Sequence, residues 1–244
     1  MKMRAGSCPF YVRSLMKDSK IYEIGPMFCG ENGHITMRSL TSLMVDISTI
    51  QAERVEKNQK VMDDKVWLLY SWDIEILKPI KEGFEIQIST IPTHMKRFFA
   101  YRNFIVEGNG EILAKAKGTF ILFDQDKQRA AIIDNNVLEA YGESPEFYTG
   151  RNYKKIGDFE KSKEISIRRA DFDKNHHVNN GVYFDYIKEI PGLDEGKISY
   201  IKMIYKNQIK NEEKIGLFYK ESPKKIDFKI GSEIDHAFGM VEYV

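Results

Sequence analysis

The stretch Thr36–Val55, TMRSLTSLMVDISTIQAERV, carries apolar residues at Met37, Leu40, Leu43, Met44, Ile47, Ile50 and Val55. Steps of three, four and five keep them close to one face of an amphipathic helix, so the spacing predicts one long helix here. The period then shortens. Trp72, Ile74 and Ile76 alternate with Ser71, Asp73 and Glu75, and Phe84, Ile86 and Ile88 alternate with Glu85, Gln87 and Ser89. Residues two apart share a face of a strand, which predicts strands with one buried face. Two further strand-like runs, Arg97 to Val106 and Glu111 to Phe123, flank Gly108-Asn109-Gly110, residues that accept the positive φ of a tight hairpin. The first half reads as a helix followed by an antiparallel meander.

From about Ala131 the periodicity fades, and residues 134–162 hold Asn135-Asn136, Gly142, Pro145 and Gly150 among polar side chains, the composition of a linker. The order of elements then recurs. An extended approach ends near Val178, a short helical pattern follows at Val182, Tyr183, Tyr186, Ile187 and Ile190, and Pro191-Gly192 stops it. Strand candidates follow at Lys197 to Tyr205, Lys214 to Lys220, Lys225 to Ile230 and His236 to Tyr243. A helix and about four antiparallel strands, occurring twice, predict a duplicated α+β chain, with units at 1–133 and 163–244 and a linker at 134–162.

Composition excludes several classes of function. Of the 244 residues, 37 are Lys or Arg and 36 Asp or Glu, and the net charge of +1 makes no global case for nucleic acid or an anionic membrane as partner. Cys8 and Cys29 form no Cys-x-x-Cys pair, so neither a disulfide framework nor a cysteine-rich zinc site is available, and a cytoplasmic setting is expected. The basic start, Met1 to Pro9, leads into no long apolar run, and neither export nor membrane insertion is expected.

The chemistry gathers in Arg168-Arg169-Ala170-Asp171-Phe172-Asp173-Lys174-Asn175-His176-His177-Val178-Asn179-Asn180. If this stretch is extended, Asp171, Asp173, Asn175 and His177 point the same way, and Asn179 or Asn180 caps the helix that follows. Attack on a carbonyl suits such a group. His177 can deprotonate or orient water, Asp173 can fix its neighbours, and Asn175 with backbone N–H groups can stabilise an oxyanion. The same residue types are ordinary turn and capping residues, so composition alone leaves capping and catalysis both open. A metal site at Asp171, Asp173, His176 and His177 is disfavoured, because adjacent histidines in an extended segment point in opposite directions. No metal and no cofactor is expected.

That run closely resembles the signature of the acyl-carrier-protein (ACP) thioesterases of plants and bacteria, an Asp-x-Asn-x-His-Val-Asn-Asn core opening the second helix. A weaker likeness covers Val66-Trp67 to Ile76, Ile91-Pro92 and the Gly108-Asn109-Gly110 hairpin through Phe123-Asp124. The resemblance implies a double hot-dog fold, two tandem units each with a long helix wrapped by an antiparallel sheet. It also implies hydrolysis of fatty acyl-ACP to free fatty acid and ACP, with the acyl pocket in the first unit and catalytic Asp173, Asn175 and His177 in the second. The corresponding place in the first unit, Glu31-Asn32-Gly33-His34-Ile35, keeps no such set, so one site per chain is expected. The family's usual Glu, on a later strand of the second unit, aligns with Gln208, with Glu212 and Glu213 close by. An amide cannot accept the proton, so the expected mechanism has His177 and Asp173 activating a water held by Asn175 and Gln208.

The implied partner is ACP with its acyl-phosphopantetheine, and Lys96-Arg97, Arg102, Arg168-Arg169, Lys206 and Lys210 are candidates for a basic surface that meets it. Met37, Leu40, Leu43, Met44 and Ile47 serve as core and could line the acyl tunnel, while Cys29 reads as a small apolar residue rather than a nucleophile. Hydrolysis of acyl-coenzyme A, and acyl binding without turnover, stay open as alternatives. A monomer and a homodimer are both compatible with a fused pair of units.

Overall fold

A computed structural model describes residues 16–244; Cys8 and the start of the chain lie outside the described residues. The helix of the opening stretch is α1 (Met37–Glu56), preceded by β1 (Asp18–Glu23) and followed by β2 (Lys65–Ile76), β3 (Glu85–Lys96), β4 (Phe99–Gly108) and β5 (Glu111–Asp124). A two-residue β6 (Arg129–Ala130) and α2 (Asn135–Tyr141) come next. The second half runs β7 (Lys161–Ser166), α3 (Val182–Lys188), β8 (Ile198–Tyr205), β9 (Lys214–Ser222), β10 (Lys225–Gly231) and β11 (Asp235–Tyr243).

All these strands join one antiparallel sheet in the order β1-β3-β4-β5-β2-β8-β11-β10-β9-β7, with β6 on β5. From edge to centre the first half reads β1-β3-β4-β5-β2 and the second β7-β9-β10-β11-β8, the same path twice. The halves meet only at β2 and β8 in this sheet, where Asp73 pairs with Lys202. The duplication read from element order is thus a duplication of topology. β1 carries no legible alternation, and in β7 only Ile165 is buried. Both are edge strands, whose charged and exposed side chains give no apolar period to read.

The Thr36 hydroxyl accepts from Ser39 N–H and starts α1. Met37, Leu40, Leu43, Met44 and Ile47 are buried against the sheet, each such side chain stabilising by about 1.5–3 kcal/mol. Ile50 is 43% exposed, and the buried stripe continues instead through Gln51. α3 has 7 residues against 20 in α1, so a long helix sits in the first unit only, and Pro191-Gly192 ends α3 with Gly192 at φ 79°. The hairpin between β4 and β5 turns on Asn109 and Gly110 at φ 53° and 77°. One apolar core runs continuously through both units, with a satellite of Met62, Leu122, Ile133, Val137 and Tyr141 beneath α2.

The single buried face expected for the β2 strand is corrected by the structure. Trp72 and Ile74 face the core, yet Asp73 between them is 3% exposed. The stretch read as linker supplies the cover: Arg151 N–H donates to Asp73 Oδ1 at 3.0 Å, and Gly150, at φ 72°, lies against the same carboxylate. Farther along, buried Asn103 donates to the carbonyl of Tyr148 and accepts from Phe147 and Tyr148 N–H.

Candidate active site

Between Phe172 and Val178, which form an antiparallel bridge, the chain makes a tight loop rather than an extended strand. Asp173 N–H donates to His177 O at 2.8 Å and His176 N–H to Asp173 O at 3.1 Å, and His176 at φ 59° closes the turn. The expected alternation of Asp171, Asp173, Asn175 and His177 on one face is therefore replaced. Asp173 is the reason: its Oδ1 accepts from the N–H of Asn175 at 2.8 Å and of His177 at 3.1 Å, a local competition that favours a turn over a strand. Asp171 leaves the group altogether. It is buried, accepts from Arg168 and from the Tyr186 hydroxyl at 3.0 Å, and Arg168 holds its carboxyl below the usual range against the cost of burial. Asn179 Oδ1 accepts from Gly181 N–H just ahead of α3, whereas Asn180 supplies only its carbonyl, to the Tyr205 hydroxyl.

Asn175 is exposed and His177 half-buried, and neither side chain has a hydrogen-bond partner among the described residues. Burial, then the Lys210 ammonium, push the His177 imidazole below its ordinary pKa, against the pull of Asp173. β8 ends at Tyr205, so Gln208 stands on the loop beyond the strand and not on it. That loop is tied to the first by Val178 N–H, which donates to Ile209 O at 3.0 Å, the residue after Gln208 meeting the residue after His177. Glu212 turns away, accepting from Lys210 and Asn211 N–H and lying 3.1 Å from His236 Nε2.

The first unit repeats the backbone bonds of this loop. Gly30 N–H donates to His34 O, Gly33 N–H to Gly30 O, Thr36 N–H to Phe28 O and Ile35 N–H to Ile80 O. The second unit repeats each bond: Asp173 to His177, His176 to Asp173, Asn179 to Asp171 and Val178 to Ile209. Cys29 bridges Ile35 as Phe172 bridges Val178, and Gly33 at φ 68° stands where His176 does. His34 and Asn32 therefore hold the places of His177 and Asn175, while Gly30 and Pro79 replace Asp173 and Gln208. Sequence reading located this segment but missed the two retained residues, because without Asp173's counterpart the motif is not recognisable.

The copies differ in what their side chains meet. Asn32 Nδ2 donates to Asp194 Oδ1 at 2.9 Å, Met37 N–H at the start of α1 donates to Glu195 Oε1 at 2.9 Å, and Gly196 packs on the His34 ring. A recess lined by Met37, Leu40, Ile76, Pro79 and Ile80 opens beside His34. A loop of the second unit thus meets the first copy, whereas the Asn175 and His177 side chains of the second copy have no hydrogen-bond partner among the described residues.

The remaining candidates sort by burial. Arg102 is 7% exposed and donates to Gln51 and Thr90, so it is removed from the basic surface, where its charge could not reach a partner. Lys96, Arg97, Arg168, Arg169, Lys206 and Lys210 are exposed. Cys29 is half-buried, and burial with nearby Glu82 raises its thiol pKa, the opposite of an activated nucleophile. Among the described residues no cluster of three His, Cys, Asp or Glu is placed to hold a metal, and no helix is long and apolar enough to cross a membrane.

Comparison with known proteins agrees with this duplicated architecture. The chain is 26% identical over 166 residues to oleoyl-acyl carrier protein thioesterase 1, chloroplastic, of Arabidopsis thaliana, covering 61% of this chain and 46% of that protein. It is 24% identical over 139 residues to the oleoyl-acyl carrier protein thioesterase, chloroplastic, of Coriandrum sativum, covering 51% and 38%. The matches thus span about half or less of the length of these relatives. The fold matches an acyl-ACP thioesterase from Bacteroides thetaiotaomicron, with a TM-score of 0.83, 18% identity and coverage of 93% and 98% of the two chains. It also matches the 12:0-ACP thioesterase of Umbellularia californica, with a TM-score of 0.80, 16% identity and coverage of 93% and 97%. The fold is the double hot-dog. Residues 17–141 match the acyl-ACP thioesterase N-terminal domain and residues 153–241 its C-terminal domain, and the chain belongs to the acyl-ACP thioesterase family.

Proposed function

We propose that this protein hydrolyses fatty acyl thioesters carried on ACP, releasing free fatty acid, at one site built on the second-unit loop. The observation that carries this reading is the contrast between the copies: the side chains of Asn175 and His177 have no hydrogen-bond partner among the described residues, whereas Asn32 is bonded to Asp194 and the His34 ring lies against Gly196. His177, kept neutral by burial and by Lys210, serves as the base that takes a proton from water. Asn175 and Gln208 hold that water or the substrate carbonyl. Asp173, whose Oδ1 is engaged by two backbone N–H groups, shapes the loop rather than taking the proton. The thiolate of the carrier leaves without a strong acid. Exposed Lys206, Lys210, Arg168 and Arg169 lie in the same loops and suit an acidic carrier. The first unit provides the apolar surface for the acyl chain.

Purified protein incubated with matched acyl-ACP and acyl-coenzyme A series, with free acid and thiol quantified, tests this. Release from ACP is expected, and its loss in His177→Ala. Preference for coenzyme A would move the carrier assignment. Gln208 favours a second reading, an acyl-binding protein with weakened turnover, because an amide cannot serve as base. Binding without release, together with strong hydrolysis by Gln208→Glu, would establish that reading.

A further inference from the structure

Buried histidines are uncommon, and His236 is fully buried at the start of β11 with no part in the chemistry above. The polar contacts of its ring and carbonyl all fall on one loop. Its carbonyl accepts from Lys206 N–H at 2.8 Å and Asn207 N–H at 3.3 Å, and its ring Nδ1 lies 3.2 Å from Asn207 O. Nε2 lies 3.1 Å from Glu212 Oε1, off the line of a good hydrogen bond and without another partner. Asn207 Nδ2 returns to Asp235 O at 2.7 Å. One imidazole thus touches the residue before Gln208 and the carboxylate four residues after it.

The duplicate unit is an internal control. There the N–H groups of Leu77 and Lys78 both donate to Leu113 O, as those of Lys206 and Asn207 both donate to His236 O. His236 and Leu113 are therefore equivalent positions, and Leu113 is an ordinary core residue, 2% exposed. The first unit, whose loop carries Pro79 in place of Gln208, uses an apolar residue there. The second unit buries a polar ring instead, which costs free energy unless its contacts return it.

We infer that His236 is a positioning residue, clamping the loop from Lys206 to Glu213 so that Gln208 is held beside His177. This rests on the thioesterase reading for its effect on turnover, but not for its effect on the loop. His236→Leu, which installs the side chain that the equivalent position already tolerates, is compared with wild type by amide hydrogen exchange and by kcat and KM on an acyl thioester that the wild type hydrolyses. Exchange across residues 206–213 is expected to quicken about tenfold with the rest of the sheet protected. The kcat is expected to fall about tenfold or more with KM little changed, since a small misplacement is enough to lose it. In a Gln208→Ala background the same substitution should cost less than about twofold, because the group it positions is gone. His236→Gln, which can still donate toward Glu212, should recover part of the loss. Unchanged exchange in His236→Leu, or an equal loss of kcat in both backgrounds, overturns the inference. If the wild type hydrolyses no thioester, the thioesterase reading falls and the exchange result alone decides the clamp.

Discussion

Asp73 and Lys202 occupy equivalent places in β2 and β8, and they are also each other's cross-strand partners, with Lys202 Nζ 2.9 Å from both carboxylate oxygens. A pair of this kind lies on the internal two-fold, where a homodimer of single units would set a residue against itself. A fused chain, unlike a homodimer, can place opposite charges there. The Tyr200 hydroxyl at 2.6 Å and Arg151 N–H complete the shell of Asp73, and both charged side chains are largely buried. Asp73→Ala strands the Lys202 charge and should cost about 3 kcal/mol. Asp73→Leu combined with Lys202→Met should cost much less, by denaturant midpoints.

Asp173 holds the loop through one oxygen, which makes its two substitutions unequal. Asp173→Asn keeps an acceptor for the N–H groups of Asn175 and His177, whereas Asp173→Ala removes it. A fall in kcat of about hundredfold is expected for Ala and under about tenfold for Asn. Equal losses would instead make the carboxylate a base.

His177 must be neutral to accept a proton, so activity should fall on the acid side as the ring becomes protonated. Burial and Lys210 lower its pKa, moving that limb to the acid side of an ordinary histidine. Lys210→Ala removes a positive neighbour, which favours the protonated ring and should move the acid limb of kcat/KM to higher pH. A profile that stays in place would mean that another group governs it.

Glu195 crosses between units to cap α1 at Met37 N–H, with Lys188 Nζ 3.2 Å from its other oxygen. A carboxylate at a helix start satisfies an N–H and complements the partial positive charge there. Glu195→Ala should cost about 1 kcal/mol, lowering Tm by about 2–4 °C, and Glu195→Gln less.

Much of the architecture was legible because its signals are local. The apolar period of Thr36–Val55, the change of period at β2 and the Asn109-Gly110 turn each depend on near neighbours. The run ending at Asn180 names the candidate site residues, but not their arrangement. An extended reading aligned Asp171 with Asp173, Asn175 and His177, whereas the Asp173 carboxylate folds the segment and Arg168 and Tyr186 draw Asp171 inward. Arg102, read as surface charge, proved to be core, since burial on a strand depends on what covers each face.

By itself the sequence determined that the chain holds two like units and that polar chemistry gathers before the second helix, since periodicity and composition are properties of residues close along the chain. Only the tertiary structure decided that Asp194, Glu195 and Gly196 meet the first copy of the loop, and that Val178 and His236 contact the loop bearing Gln208. Those relations join residues far apart in the chain: the contacts on the first copy form only when antiparallel pairing across β2 and β8 brings the two units into one sheet, and those of His236 only when β11 pairs with β8.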